Sequence, residues 1–249
     1  MSRGCIMIIS CYSSNRVPLL TWIKDIPPTM DYVILRGDMK IQNEFIYNSE
    51  SHECILRCPD TYLGLPHKIK AGLRFVYKQF NPSFVVKIDD DVVVNVPKLI
   101  EYAETTKDHY AGHVTYNYNP DQGLSTTYCG GPLYYLSSLA LKCLQDMDST
   151  VFNAEDGCTG KHLIEKCKLP VHNVHLYTDV FDQKNNFIAY HDHKRVVFGT
   201  ETPPNRTPAY SIAVPPPDYK PSFMRHLSQK NNFKASFVGR MSHTYTFTP

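Results

Sequence analysis

The feature that most constrains the fold is a largely apolar run interrupted by three consecutive carboxylates. Residues 84–88 and 92–94 are the two hydrophobic runs. Between them stand Asp89, Asp90 and Asp91, here called the aspartate triplet. Burying one unpaired carboxylate is costly, and burying three neighbours costs more. We therefore expect the triplet to end a core strand and to bind a divalent cation, and a phosphate-bearing substrate is the simplest reason to hold one there.

The triplet has two other possible interpretations. The first is a solvated acidic turn that follows a strand, but such a turn would not need three carboxylates between two apolar runs. The second is a calcium loop of the EF-hand type, which fails because Val93 occupies the fifth position and no glycine follows. The sequence therefore favours a site for a cation and a phosphate.

Length and composition exclude several classes of protein. The chain has 249 residues, of which 42% are hydrophobic, so it can bury a core. Its formal net charge of +2, without a basic run, points to neither nucleic acid nor a membrane surface. The apolar stretch Cys5–Cys11 is too short to span a membrane, and no other segment approaches that length. We expect a globular protein without a membrane segment.

The order of apolar segments predicts the fold class. Gly4–Ser10, Asp31–Leu35 and residues 84–88 are short apolar runs, typical of strands buried on both faces. Residues 66–80 have the period of an amphipathic helix, and Pro18–Ile26 is expected to form a short helix. This alternation predicts an α/β sandwich around a mostly parallel central sheet. Ligands bind at the carboxyl ends of such strands, where the triplet lies.

Further segments follow the triplet. Pro97–Thr105 and Ser137–Met147 are expected to be helices, and Gly160–Cys167 is expected to start another. Val171–Tyr177 and Asn186–Tyr190 are expected to be short strands. The region of residues 110–136 is rich in Tyr, Gly and Asn and predicts loops and strands over the site.

The eight cysteines indicate the redox environment. They form no CxxC pair, which argues against a zinc site, and they are too few for a disulfide scaffold in a chain of this length. Cys5 lies in the first apolar run and is expected to be a small core residue. The pattern favours a reducing compartment and therefore a cytoplasmic location.

Motifs around the triplet occur in a distinctive order. Arg16 precedes Thr21-Trp22, and Asp60 and Tyr62 precede a helix that carries Lys68. After the triplet come Tyr128–Ser137, Glu155–Gly160 and His191. In this order the chain resembles the β1,3-galactosyltransferase and Fringe-like glycosyltransferases (family 31), over roughly residues 5–200. It departs from their pattern at Gly157, where the family has an apolar residue, and at Leu133, where it usually has a second glycine.

The resemblance implies a fold and an activity. The fold would be a GT-A-type nucleotide-sugar-binding sandwich. The activity would be a metal-dependent, inverting transfer of a sugar, with galactose as the best guess, from a UDP-sugar to a hydroxyl of a glycan or glycoprotein acceptor, forming a β-linkage. The alternative is a catalytically inactive module that binds a nucleotide sugar or a glycan. A lumenal catalytic domain without its anchor is the alternative to the cytoplasmic location.

The resemblance also implies the cation ligands. Asp91 would be the direct ligand, and Asp89 would face the ribose or a metal-bound water. Oxygen ligands suit Mg2+ or Mn2+, and an added imidazole favours Mn2+. His191 is the preferred source of that imidazole and His193 is the competitor, because two residues on a strand at this spacing point the same way. A pair of surface histidines is the alternative.

The remaining candidates bind the nucleotide or transfer the proton. Asp90 belongs with Asp89 to the nucleotide site, and Arg16, Asp60 and Lys68 either contact the nucleotide and its phosphates or are ordinary surface charges. The catalytic base would be Asp156, with Glu155 as the substitute, because an inverting transfer needs one carboxylate to take the acceptor proton. The alternative is that Asp156 or Thr159 caps a helix near Gly160.

The end of the chain has a different composition. Residues 1–200 are expected to form the catalytic domain. Residues 201–222 are rich in proline, including Pro215-Pro216-Pro217, and predict an extended strap or linker. Residues 223–249 would be a C-terminal tail, in which Phe233–Arg240 predicts a strand and turn. This tail either packs back on the domain or begins a following domain, and the latter is favoured.

Overall fold

A computed structural model describes the backbone of residues 3–13, 17–119, 124–152, 154–178, 188–191, 234–238 and 244–248. The chain divides into two compact units. The first comprises Met1–Thr115 and Thr126–Thr202, and the second comprises Tyr116–Ser125 and Pro203–Pro249. In the second unit, the strands Lys234–Val238 and Thr244–Thr248 pair antiparallel, and the first of them confirms the strand predicted within Phe233–Arg240.

The strands of the two larger sheets are, in chain order, β1 (Cys5–Ile9), β2 (Asp31–Gly37), β3 (Phe45–Asn48), β4 (Glu53–Leu56), β5 (Phe84–Asp89), β6 (Val92–Val94), β7 (Tyr110–Asn119), β8 (Leu124–Ser137), β9 (Val171–Asn173), β10 (Tyr177–Thr178) and β11 (Ala189–His191). The large sheet has the order β3-β4-β2-β1-β5-β8-β7-β9, and the small one has the order β10-β11-β6. In the large sheet β1 pairs parallel with both β2 and β5, β2 with β4, and β7 with β9. The predicted α/β fold around a mostly parallel sheet is confirmed.

The helices are α1 (Leu65–Phe80), α2 (Val96–Thr105), α3 (Ser138–Cys143) and α4 (Glu155–Lys161). Helix α1 confirms the predicted amphipathic helix. Pro66 stands in its first turn, where its missing N–H costs nothing, and Asn81 ends it in the left-handed conformation with φ 45°. At Gly72 the helix approaches β2 so closely that a Cβ would lie 2.2 Å from Leu35 Cδ1. The glycine therefore sets the spacing between helix and sheet.

An apolar cluster includes alternate residues of β1. Ile6 and Ile8 of β1 belong to this cluster, together with Leu99 and Ala103 of α2. Trp22 belongs to the same cluster and is 4% exposed. Because successive residues of a strand point to opposite faces, the fully buried run of β1 indicates a strand covered on both sides.

Several element predictions need correction. The helix expected at Pro18–Ile26 is instead two 3-10 turns, Val17–Leu19 and Thr21–Asp25. The helix expected from Gly160 begins five positions earlier, at Glu155, and continues as a π-helical segment to Lys166. Strands β3 and β4 were not predicted, because they are short, lie near the sheet edge and carry polar residues. Helix α2 begins one residue before its predicted start and ends at the predicted residue, Thr105. Helix α3 begins one residue after its predicted start and ends at Cys143, before the predicted end at Met147.

A disulfide joins Cys143 at the end of α3 to Cys167 after the π-helical segment. The expectation that the cysteines are reduced is therefore wrong for this pair. Six other cysteines are free thiols in the structure, and Cys5 is fully buried in the core as predicted. Within the described ranges, no helix is both long and apolar enough to cross a membrane.

Candidate active site

The aspartate triplet lies at the carboxyl ends of adjacent parallel strands. Asp89 ends β5 and pairs with Ile9 at the end of β1. The next residue, Asp90, donates its backbone N–H to the carbonyl of Ile9 at 3.1 Å, and its Oδ2 accepts a 2.7 Å hydrogen bond from Ser10 Oγ. Asp90 is buried, so this hydroxyl partner offsets part of its desolvation cost. The placement at this edge of the sheet is the one the sequence predicts.

A cavity of about 330 Å³ opens at this edge. All three aspartates of the triplet line it, together with Asp60 and Lys68. A larger surface cavity, of about 400 Å³, is lined by Arg74, Tyr77, Lys78, Gln145 and Asp146 and contains none of the predicted residues. The chemistry therefore assigns the candidate site to the smaller cavity, here called the triplet cavity.

Asp60 and Lys68 form a clamp in the wall of the triplet cavity. Lys68 is 1% exposed, and its Nζ donates to Asp60 Oδ1 at 2.5 Å and to the carbonyl of Ser10 at 2.8 Å. The carboxylate also accepts 2.8 Å hydrogen bonds from the backbone N–H groups of Tyr12 and Gly37. Although burial raises the pKa of Asp60, these partners lower it below its ordinary value. Neither residue is an ordinary surface charge, and the clamp ties the ends of β1 and β2 to helix α1.

The strand that leaves the triplet is held from two sides. Trp22, which is buried, donates from Nε1 to the carbonyl of Val92 at 2.9 Å. Strand β11 pairs antiparallel with β6, and its register places the backbone of His191 opposite Val92, one residue after Asp91. The side chain of His191, and both Arg16 and His193, lie outside the described residues.

The acid pair Glu155-Asp156 occupies the first turn of α4. Ala154 is the N-cap of this helix and makes no side-chain capping bond, so neither Asp156 nor Thr159 has the predicted alternative role of a cap. Glu155 is 5% exposed and its Oε2 accepts a 2.9 Å bond from the buried hydroxyl of Tyr134. Asp156 instead accepts from backbone, 3.0 Å from the N–H of Gly131 and 2.8 Å from that of Gly157.

The two members of the acid pair have different partners: backbone N–H groups hold Asp156, whereas Glu155 accepts from a side-chain hydroxyl. Burial and the adjacent Glu155 raise the pKa of Asp156 to about 7, although Lys87 and the two backbone donors oppose the rise. A carboxyl group with a pKa near 7 both accepts a proton readily and is partly ionised at neutral pH. Asp156 as the base, with Glu155 as the substitute, stays a prediction.

Lys87 connects the triplet to the acid pair, a role that the sequence did not predict. Its Nζ lies 2.6 Å from Asp89 Oδ1 and 2.9 Å from Glu155 Oε1. Burial alone would lower the pKa of Lys87, but the two carboxylates raise it above its ordinary value, so the side chain is charged. The signal that could have revealed it is a lone lysine inside an apolar strand, which needs buried anionic partners.

The donor set at the triplet fits a cation that is shared with substrate phosphates. Among the described residues, no group of three or more His, Cys, Asp or Glu side chains forms a ready metal site. Mg2+ and similar cations are often held by one or two carboxylates plus substrate phosphates and water. All three carboxylates of the triplet line the cavity, so each is placed to contribute oxygen ligands to such a cation.

Comparison with known proteins relates part of the chain to the glycosyltransferases, which are enzymes that transfer a sugar. The family model that matches is Galactosyltransferase, over residues 37–127, and the match supports assigning the chain to that family. The matched range contains Asp60, Lys68 and the aspartate triplet but ends before the acid pair. No curated protein sequence matches the chain.

Two solved structures are similar over 70% of this chain. The crystal structure of A197 from STIV is 13% identical with a TM-score of 0.38, and the match covers 82% of its length. The mannosyltransferase PcManGT from Pyrobaculum calidifontis, in complex with GDP-Man and Mn2+, is 12% identical with a TM-score of 0.45. The match covers 55% of that chain, so the protein spans about half the length of this mannosyltransferase. Neither likeness carries an argument about substrate.

Proposed function

We propose that the chain is a metal-dependent, inverting glycosyltransferase of the GT-A type. It transfers a sugar, with galactose as the best guess, from a UDP-sugar to a hydroxyl of a glycan or glycoprotein and forms a β-linkage. One observation carries the proposal: Lys87 joins a cavity lined by three aspartates to a buried acid pair whose Asp156 has a pKa of about 7. A site for a diphosphate leaving group and a base are the two parts that such a transfer needs.

The triplet cavity would bind the nucleotide diphosphate. Asp91, with Asp89 and an imidazole from His191 or His193, would hold Mn2+ or Mg2+, and the cation would offset the negative charge that grows on the departing UDP. The backbone register of His191 beside Val92 supports this histidine as the co-ligand. Asp90, Arg16, Asp60 and Lys68 would complete the nucleotide site, with the Asp60–Lys68 clamp acting as the rigid wall.

Asp156 would act as the base in a single displacement. The acceptor oxygen attacks the anomeric carbon of the donor sugar and gives its proton to a carboxylate oxygen of Asp156, while the bond from the anomeric carbon to the UDP oxygen breaks. Attack from the face opposite UDP inverts the configuration and yields the β-linkage. The two backbone N–H donors of Gly131 and Gly157 fix the carboxylate before the reaction, so no reorganisation is needed.

The domain borders and the location remain proposals. Residues 1–200 would form the catalytic domain, 201–222 a proline-rich linker and 223–249 the start of a following domain. The cytoplasmic location stays a prediction from the cysteine pattern. The Cys143–Cys167 disulfide favours the lumenal alternative, because disulfides persist mainly in oxidising compartments.

A panel of UDP- and GDP-sugars tests the proposed function. Purified protein is incubated with each donor and Mn2+, with and without a galactoside acceptor, and the released nucleotide is measured. We expect release from a UDP-hexose, highest with UDP-galactose, and loss of release in excess chelator. Binding of UDP without turnover of any donor would contradict the proposal and favour a module that binds nucleotide sugars.

A further inference from the structure

We propose that Lys87 is a positioning residue, which holds the triplet cavity and the catalytic base Asp156 in one fixed arrangement. This inference rests on the proposed function, because it assigns Lys87 a role in the same reaction. Lys87 does not face the proposed substrate. It acts through the groups that its ammonium binds, and each of those groups belongs to a different part of the site.

The ammonium of Lys87 contacts three oxygen atoms. It donates hydrogen bonds to Asp89 Oδ1 and to the carbonyl oxygen of Gly131, and it forms an ion pair with Glu155 Oε1 at 2.9 Å. These oxygens belong to β5 itself, to β8 and to helix α4, so one buried cation joins three separate elements. The ring of Tyr134, 5.5 Å from Nζ, forms part of its surroundings.

The contact with Gly131 links Lys87 to the base. The carbonyl of this residue accepts from Lys87, and its N–H donates to Asp156 Oδ2 at 3.0 Å. A Cβ on Gly131 would lie 3.4 Å from Asp156 Oδ2 and 3.5 Å from Glu155 Oε1, so the backbone passes directly beside the acid pair. Movement of Gly131 would therefore move the hydrogen bond that aims Asp156.

The strand around Gly131 is irregular, which explains why it needs an external contact. Cys129 and Tyr134 both approach the same side of Gly112, since a Cβ there would meet the Cβ atoms of both. Five residues of a regular strand span roughly 16 Å, so two residues at this separation could not both meet one Cβ. The chain therefore leaves the regular strand path between Cys129 and Tyr134, and Gly131 lies within this interval. The hydrogen bond from Lys87 to the carbonyl of Gly131 fixes the interval to β5.

Charge gives Lys87 its second effect on the base. It faces Asp89 and Glu155 directly and lies close enough to Asp156 to oppose the rise of its pKa. The other groups that interact with the Asp156 carboxylate are Glu155, the N–H groups of Gly131 and Gly157, the thiol of Cys129 and the hydroxyls of Tyr110, Tyr128 and Tyr134. Loss of the ammonium leaves Glu155 as the nearest charge, which raises the pKa of Asp156 further.

The test compares Lys87→Met with the control Lys78→Met. Lys78 is exposed, lies outside the triplet cavity and pairs only with exposed Glu44 at 3.3 Å among the ion pairs that the structure describes. For UDP-galactose turnover with Mn2+, we expect kcat of Lys87→Met to fall about 10- to 100-fold, the range usual for residues that support a metal site from outside it. The acidic limb of the pH–rate profile should move to higher pH. Lys78→Met should match the parent in both measurements.

Lys87→Arg covers the case in which Lys87→Met fails to fold. The variant keeps the charge, but a planar guanidinium cannot direct three donors from one nitrogen. We expect a lower kcat, an acidic limb at the parent pH and UDP binding within about threefold of the parent, a range set by the intact cavity. Parent kcat in Lys87→Arg, or an unmoved acidic limb in folded Lys87→Met, would overturn the positioning role.

A second measurement separates this inference from the proposed function. Carboxyl 13C signals of Asp156 are followed by NMR against pH in the parent and in a folded Lys87 variant, without any donor. The midpoint should lie near pH 7 in the parent, where the pKa of Asp156 is about 7, and higher in Lys87→Met. If no UDP-sugar is turned over, the proposed function fails, whereas an identical midpoint in both proteins overturns the role of Lys87.

Discussion

The backbone N–H of Gly131 donates a 3.0 Å hydrogen bond to Asp156 Oδ2, which joins an irregular part of strand β8 to the first turn of helix α4. The other oxygen of the same carboxylate accepts from the backbone N–H of Gly157 at 2.8 Å. Each carboxylate oxygen has a second lone pair, which is the position for an acceptor hydroxyl. Glu155 instead forms an ion pair with Lys87 at 2.9 Å, so a buried cation holds Glu155 whereas backbone N–H groups hold Asp156.

Removal of the Asp156 carboxylate should abolish most of the transfer. In Asp156→Asn the amide cannot take the acceptor proton, so we expect kcat to fall by about 100- to 10,000-fold, the usual contribution of a general base. Isothermal titration with UDP and Mn2+ should give an affinity close to that of the parent. Turnover at the parental rate would show that Asp156 is not the base.

The reaction should depend on pH through the same residue. Burial and Glu155 raise the pKa of Asp156 to about 7. A base must be deprotonated to act, so kcat/KM should fall as pH drops below about 7 and level off above it. Initial rates across pH 5 to 9 check this expectation. The increase of kcat/KM with pH should be absent from the residual activity of Asp156→Asn. If the increase persists in this variant, another group is responsible for the pH dependence.

Loss of Asp60 should destabilise the fold. Asp60→Ala leaves the buried Lys68 without its carboxylate, and breaking such a pair costs about 3 kcal/mol. Since partners lower the pKa of Asp60 in the folded protein, its contribution is present above the pKa of the unfolded chain and is lost as pH falls through the folded value. Urea unfolding measures both effects. The exposed pair Lys78–Glu44 supplies the control Glu44→Ala, expected to change stability by less than about 0.5 kcal/mol.

The disulfide should also contribute to stability. Cys143 and Cys167 are separated by 24 positions, and closing a loop of this length stabilises a fold by about 3 kcal/mol in the chain-entropy account. We expect Cys167→Ser, or treatment with a reductant, to lower the urea midpoint accordingly. Cys11→Ser is the control, because Cys11 is partly exposed and is not part of the disulfide. Cys5→Ser is unsuitable as a control because Cys5 is fully buried. Equal midpoints with and without reductant would contradict this contribution.

The sequence predicted the parts of the fold that depend on local pattern. Strands β1, β2 and β5 are continuous apolar runs, and helix α1 has a regular apolar stripe, so each could be located from its own residues. Strand β4 could not, because it is only four residues long and carries a polar residue, and its parallel pairing with β2 passes over β3 in the chain. Helix α4 begins with Glu-Asp-Gly and contains two glycines, so its start depends on packing and not on helix propensity.

The candidate site also contains residues that the sequence predicted and residues that it did not. The triplet was found from its charge, and Asp156 and Lys68 from a resemblance. Lys87 was missed because its partners, Glu155 and Gly131, are far away in the sequence and become neighbours only when α4 and β8 pack against β5. The ion pair between Asp60 and Lys68 was likewise not predicted, because no sequence pattern shows that helix α1 buries the lysine.

Mn2+-dependent release of UDP from UDP-galactose, compared between the parent and Asp91→Ala, tests the central claim most directly. The claim predicts release by the parent that chelator abolishes and added Mn2+ restores, and release at background level by a folded Asp91→Ala at every Mn2+ concentration. Full release by the parent in excess chelator, or parental release by Asp91→Ala, would contradict a metal-dependent transfer at the aspartate triplet.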